Sequence, residues 1–222
     1  MPQLEIACFN LTSALIAQEN GVGRVELCDG FEVGGTTPSL ETIIKAKDFL
    51  TIDLYVMIRP RGGNFVYTDV EFEEMKTSIV ALKTQKVNGF VFGILNEGKT
   101  INVTQNKALV DLAQPFSCTF HRAFDEVSDA FKSLEEIIDC GFTTILTSGQ
   151  AQNVTDGANR LAELVTKANN RIVIMPGGGL RSSNIGFIQQ GTKANWFHSS
   201  AITEGNGVAN SNEIMALKSN LK

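Results

Sequence analysis

A (β/α)₈ barrel, the TIM barrel with eight parallel strands, is the fold class this sequence predicts, and three observations predict it. Short β-branched runs alternate with longer amphipathic stretches along the chain, with no helix-only or strand-only block. Eight such units occur, their strand starts spaced evenly near residues 4, 24, 53, 88, 117, 143, 171 and 195. A length of 222 residues lies close to the ~250 usual for one such barrel. One domain over residues 1–222 is therefore expected. A doubly wound open sheet is the alternative, and eight units favour closure.

The elements follow in chain order. Residues 4–9 form the first strand, and Gly21 sits just after the next helical run, where a left-handed C′ residue is wanted. Residues 24–28 form the second strand. Thr37 followed by Pro38 then predicts an N-cap with proline at N1, where its missing N–H costs nothing. After the third strand, 53–59, Thr68 and Glu71 read as a capping box opening a helix over 69–86. Strands at 89–95 and 117–122 follow, with Thr104 and Ser128 as candidate caps of the helices behind them. Gly141 closes the second of those helices, and strands at 143–148, 171–175 and 195–199 complete the set. Asn210 caps the last helix.

Composition excludes several classes. Of the residues 43% are hydrophobic and 19% charged, enough for a full core. Net charge is −5, and no stretch gathers Lys and Arg, which argues against nucleic acid or an anionic membrane as partner. No apolar run approaches the ~20 residues of a membrane span. The opening MPQLEIACFN lacks a basic n-region and a long apolar stretch, so a cytoplasmic location is expected. The four cysteines never form Cys-x-x-Cys, and free thiols are the expectation there.

Alternate strand residues face a barrel's interior, and chemistry gathers at the carboxyl ends of its strands. Glu5, Glu26, Arg59, His121 and His198 all lie within predicted strands, where inward positions let them pair. A structural ion-pair network and a catalytic set are both open for the two glutamates. His121, with Arg122 and Asp125 close behind it, offers a proton-transfer group, a cation and an acceptor within one turn of chain. His198 reads equally as a satisfied core group. Gly177, Gly178 and Gly179, then Arg181 and a helix expected near Ser182, leave strand seven, while Ser199 ends strand eight. These loops form the usual phosphate site of such barrels, so they are candidate anion binders, as are Arg59 and Arg61. Tight turns and a solvated loop are the bland alternatives. Cys8 and Cys28 end adjacent strands, but alternation turns Cys8 toward the helices if Glu5 faces inward.

Read together, LEIACFN, RVELCDGFEVGGTTPS, VMIRPRGGNFVYTDVEFEEM, FVFGIL, FHRAFD, ILTSG, IMPGGGLRSSNI and FHSSA resemble, in order, the sequence blocks of the CutC copper homeostasis family. The resemblance runs from the first strand to about Ser200. It implies a TIM barrel, a cytoplasmic location, a homodimer, a part in copper homeostasis, and Cu(I) ligands matching Cys8 and Cys28. No organic cofactor is implied. Ala7, Phe9 and Asn10 flank Cys8 where the family usually shows valines and an Asp. Two functions from different classes follow. One is a Cu(I)-handling protein. The other is a lyase, isomerase or hydrolase acting on a small anionic or phosphorylated metabolite, with Arg59, Arg61 and the glycine loop as anion site and His121 moving a proton, assisted by Glu26 or Asp125.

Overall fold

A computed structural model describes residues 2–221. Eight strands among them are β1 (Gln3–Cys8), β2 (Arg24–Leu27), β3 (Asp53–Met57), β4 (Gly89–Phe92), β5 (Ser117–Phe120), β6 (Thr144–Thr147), β7 (Val173–Pro176) and β8 (Trp196–Ser199). Each is followed by one helix: α1 (Leu11–Glu19), α2 (Leu40–Phe49), α3 (Asp69–Lys83), α4 (Val103–Ala113), α5 (Ala130–Cys140), α6 (Ala158–Ala168), α7 (Ile185–Thr192) and α8 (Ser211–Asn220). All strand pairs are parallel, in the order β7-β6-β5-β4-β3-β2-β1-β8. The remaining seam, β7 to β8, closes through the single bridge Gly177–His198. This is the TIM-barrel architecture, nearly closed. A Cβ on Gly177 would stand 2.4 Å from Leu146 and 3.0 Å from His198, so only glycine lets β7 come this near β8. No helix among the described residues is long and apolar enough to cross a membrane.

The alternation of the strands divides the core. Ile6, Cys8, Val25, Leu27, Leu54, Val56 and their like pack outward against the helices in one large cluster. Inward positions carry a smaller apolar group of Cys28, Tyr55, Met57 and Val91, alongside the buried polar residues Glu5, Arg24, Glu26, Thr119 and His198. Burying those charges is tolerable only because they meet each other, so the pairing pattern below is a condition of the fold.

Helix starts differ from the sequence expectation at several points. The capping box at Thr68 and Glu71 is present, and Asn210 caps α8, its side chain accepting from the Glu213 amide. Gly141 ends α5 at φ 93°. However, Ser39 rather than Thr37 caps α2, so Pro38 precedes the cap. Thr37 instead accepts from the Arg59 amide at 2.8 Å and ties the loop to β3. Asn102 caps α4 in place of Thr104, and Asp129 caps α5 in place of Ser128, whose hydroxyl turns to the Lys99 carbonyl. The helix expected near Ser182 begins at Ile185, and α3 stops at Lys83 rather than residue 86. Arg59, Leu95, Arg122 and Ser148, expected in strands, lie just past the ladders, on the loops of the carboxyl face.

Candidate functional site

The floor of the barrel is a line of charges set by strand register. Glu5 of β1 lies beside Arg24 of β2 and His198 of β8. Arg24 Nε donates to Glu5 Oε2 at 2.5 Å, and its guanidinium stacks on Tyr55 and Trp196 at 4.1 and 4.3 Å. His198 Nδ1 meets the other Glu5 oxygen at 2.7 Å, and its Nε2 stands 3.8 Å from Glu26 Oε2. Burial alone would raise the Glu5 carboxyl, but Arg24 and His198 outweigh it and hold the group below its ordinary range. Burial dominates at Glu26 and pushes it up. Burial opposes charge on His198, yet Glu26 and Glu5 together raise it.

Above this floor opens a cavity of about 260 Å³ at the carboxyl face. Its walls include Glu26, Arg59, His121, Arg122, Arg181 and His198, with Phe65, Met57 and Leu146 between them. Three guanidiniums reach it, in a protein of net charge −5. Arg59 is buried and donates to the carbonyls of Val33, Gly35 and Gly63, stapling two rim loops together. Arg181 donates to the carbonyls of Leu180 and Ile202. Among the described residues neither is ion-paired. Arg122 alone meets a carboxylate, Asp125, at 2.7 Å. The local field therefore favours an anion.

His121 follows β5. Its Nδ1 accepts from the Ala123 amide at 3.3 Å, which leaves the ring proton on Nε2, and Nε2 has no partner. Burial, with the Arg59 charge nearby, lowers its pKa to about 3, so the ring is neutral at physiological pH. Phe65 packs between the two, 4.8 Å from each.

The structure thus brings Glu26, Arg59, His121, Arg122, His198, Gly178, Gly179 and Ser199 to one cavity, with Glu5 in the floor beneath. Arg61 does not line it. It turns outward to Glu71 at 2.5 Å and to the carbonyls of Gly62, Asn64 and Val66. Gly177 spends its amide on the Thr147 carbonyl, whereas the amides of Gly178 and Gly179 meet no acceptor among the described residues. The turn before α7 is no open anion site at Ser182, because Glu213 already accepts from the Ser182 amide and hydroxyl at 2.7 and 2.8 Å. Ser199 is engaged too, donating to Leu180 and accepting from Ala201. Asp125 accepts from Arg122, Thr147 and the amides of Ser148 and Gln150, which makes it the support of Arg122 rather than a free base.

Cys28 lines the cavity and its thiol lies 3.5 Å from Glu26 Oε2. Cys8 packs in the outer cluster, its thiol against the Ile6 carbonyl. The backbones touch, Cys28 amide to Cys8 carbonyl, but the sulfurs face opposite sides of the sheet. Burial, then the Glu26 charge, raises both thiols well above their ordinary range. Two buried thiols on opposite faces do not fit Cu(I), which takes thiolates on one centre. The nearest metal-like grouping is Glu5, Glu26 and His198, whose donor atoms lie within 4.8 Å of one another, a harder oxygen and nitrogen set.

One residue that matters, Arg24, escapes the sequence reading. Arg24 shares the inward face with Glu26 by simple alternation, which was the available signal. Arg181 is visible as the cation after the glycines, but nothing in the sequence shows it to lack a carboxylate partner.

Comparison with known proteins agrees with this architecture. A family model described as the CutC family matches residues 2–203. The CutC family protein of Parabacteroides distasonis is 46% identical over 199 residues, covering 89% of this chain and 82% of that one. The human copper homeostasis protein cutC homolog is 39% identical, covering 98% and 80%. A CutC crystal structure from Streptococcus agalactiae superposes with a TM-score of 0.86 at 37% identity, over 90% of this chain and 99% of that one. Phosphoribosyl anthranilate isomerase of Thermotoga maritima, at 14% identity and a TM-score of 0.67, shares the fold alone. The chain belongs to the CutC family.

Proposed function

We propose that this protein binds a small anionic metabolite at the mouth of its barrel and performs acid–base chemistry on it, as a lyase or isomerase does. One observation carries the reading. Arg59, Arg122 and Arg181 all line this one cavity, Arg59 and Arg181 without a carboxylate partner among the described residues, and the amides of Gly178 and Gly179 in its wall meet no acceptor there. Cations and free amides gathered in one small cavity suit a ligand that supplies the missing negative charge. The unpaired guanidiniums and the free amides of Gly178 and Gly179 give that ligand its negative charge.

A second reading is copper handling, supported by the names of the human and mouse relatives and by the presence of Cys8 and Cys28. It requires the Cys8 sulfur to leave the outer face of β1. A homodimer in the cytoplasm belongs to this proposal on the family resemblance.

One set of titrations separates the two readings. Phosphate, sulfate, sugar phosphates and short carboxylates are expected to raise the melting temperature by several degrees, since a ligand binding only the folded state stabilises it by ~2.7 kcal/mol at a hundredfold excess over Kd. Arg181→Met weakens that shift. No shift across the panel rejects the anion reading. Cu(I) bound under reducing conditions more weakly by both Cys8→Ser and Cys28→Ser, with Cys118→Ser unaffected, establishes the copper reading instead.

A further inference from the structure

Two acceptor atoms face each other across the floor of the cavity. Glu5 has both carboxylate oxygens occupied, Oε2 by Arg24 at 2.5 Å and Oε1 by His198 Nδ1 at 2.7 Å. Arg24 fixes Glu5 as the anion, so Nδ1 is the donor of that second bond and a neutral ring has its lone pair on Nε2. Nε2 points to the other carboxylate, 3.8 Å from Glu26 Oε2, beyond the ~2.7–3.2 Å of an N–H···O bond. Glu26 is buried, its Oε1 has no partner, and its Oε2 accepts only from the Cys28 thiol, at 3.5 Å. The span between Nε2 and Oε2 suits one metal ion. With bonds of ~2.0–2.2 Å, an imidazole nitrogen and a carboxylate oxygen stand ~3.4 Å apart at a tetrahedral angle and ~4.2 Å apart when collinear. Both side chains line the cavity, and His198 keeps 10% of its own open, so an ion reaches the pair from the barrel mouth.

We propose that His198 Nε2 and the Glu26 carboxylate bind a divalent first-row metal ion of the zinc type, with its remaining positions open to the cavity. Three features of the chain support this. Metal-binding histidines almost always donate their other ring N–H to a carboxylate, which fixes the ring, and Glu5, itself held by Arg24, is that carboxylate here. Glu5 is therefore not a ligand, although its nearest oxygen lies within 4.8 Å of the other two groups, because both its oxygens are already spent. Charge is the second feature. Arg24 and Glu5 cancel, so ionised Glu26 with a neutral His198 leaves one negative charge in the floor, which a divalent ion converts to one positive charge. That sign matches Arg122 and Arg181 in the walls above, so a bound ion would strengthen the attraction for an anion without depending on it. The third is selectivity within the chain. It has two histidines, and the other, His121, accepts from the Ala123 amide at Nδ1 and has its Nε2 enclosed. Imidazole and carboxylate suit Zn²⁺, whereas the softer Cu(I) reading needs the thiolates of Cys8 and Cys28, which this site does not use.

The test is a calorimetric titration of Zn²⁺ into the full-length, metal-stripped protein under reducing conditions. One ion is expected to bind per chain and to raise the melting temperature. Glu26→Gln and His198→Gln each weaken that binding at least ~10-fold, while Cys8→Ser and Cys28→Ser leave it within ~3-fold of the unmodified protein. Melting temperatures without metal separate lost binding from lost folding. Co²⁺ in the unmodified protein gives a second reading that needs no variant: its d–d bands are expected without an intense sulfur-to-cobalt band. Binding lost in Cys8→Ser or Cys28→Ser, or a strong sulfur-to-cobalt band, overturns the site in favour of the thiols. Zn²⁺ affinity unchanged in both Glu26→Gln and His198→Gln overturns it, as does the lack of saturable binding in the unmodified protein. In that last case Nε2 carries a proton, and His198 is an imidazolium between two carboxylates. Anion-induced melting shifts measured in the metal-stripped protein report the anion site separately, so either reading can fail alone.

Discussion

His121 shows how burial writes chemistry into a single residue. Its ring is enclosed by Phe65, Phe120 and the Arg59 charge, which lowers its pKa from the ordinary 6.5 to about 3. Above pH 6.5 the folded and unfolded chains both hold a neutral imidazole, and its contribution to stability is whole. As pH falls from 6.5 toward 3 the unfolded chain takes up a proton that the folded ring refuses, so stability is lost across that window, ~1.4 kcal/mol for each unit of separation. His121→Phe is expected to flatten the fall in melting temperature between pH 6.5 and 4 relative to the unmodified protein. Equal slopes in the two proteins contradict the buried neutral ring. Much of the cavity was legible in advance at this scale, because period-two alternation is enough to turn Glu26 and His198 inward together. Arg61 was not legible, since a position just past a strand end carries no direction, and its outward turn depends on Glu71 in the next helix. Asp125 and Ser199 were read as site groups, but their partners, Thr147 and Leu180, lie far away in sequence.

At the scale of elements, the helix ends hold the rim in place. Glu71 closes the capping box of α3 by accepting from the Thr68 amide, and the same carboxylate receives Arg61. The loop between β3 and α3 is therefore fixed at both ends, by Arg61 to Glu71 and by Arg59 to Gly63. Glu71→Ala is expected to cost ~1–2 kcal/mol in urea unfolding, while leaving the ligand-induced melting shift intact. A destabilisation under ~0.3 kcal/mol, or a lost ligand shift, contradicts this division between scaffold and site. The capping box was readable because Thr and Glu three residues apart form a two-way pattern. The starts of α2, α4 and α5 were misread by one or two residues where several short polar side chains compete. Thr-Pro-Ser, Asn-Val-Thr and Ser-Asp each offer two candidate acceptors, and the geometry that chooses Ser39, Asn102 and Asp129 is tertiary.

For the molecule as a whole, the barrel is a frame that brings charges from six strands to one opening. The outer apolar cluster holds strands to helices, which frees the interior to carry Arg24, Glu5, His198 and Glu26 as a paired line beneath the cavity. Eight even β-then-α units predicted that frame, whereas the closure between β7 and β8 rests on one glycine and one bridge that no periodicity reveals. The same loop that closes the barrel then turns Gly178 and Gly179 toward the opening, at φ 103° and 71°, with Gly178 packed on the Arg122 guanidinium. A side chain at Gly178 would begin 2.9 Å from Arg122 Cζ, so the proposed anion site and the closure share one stretch of backbone. Backbone amide NMR during a titration with inorganic phosphate tests the central claim most directly. The account predicts saturable shifts of the Gly178 and Gly179 amides and of the His121 side chain, with a single shared Kd. Shifts confined to residues outside the barrel mouth, or no saturation at any of these groups, would contradict it.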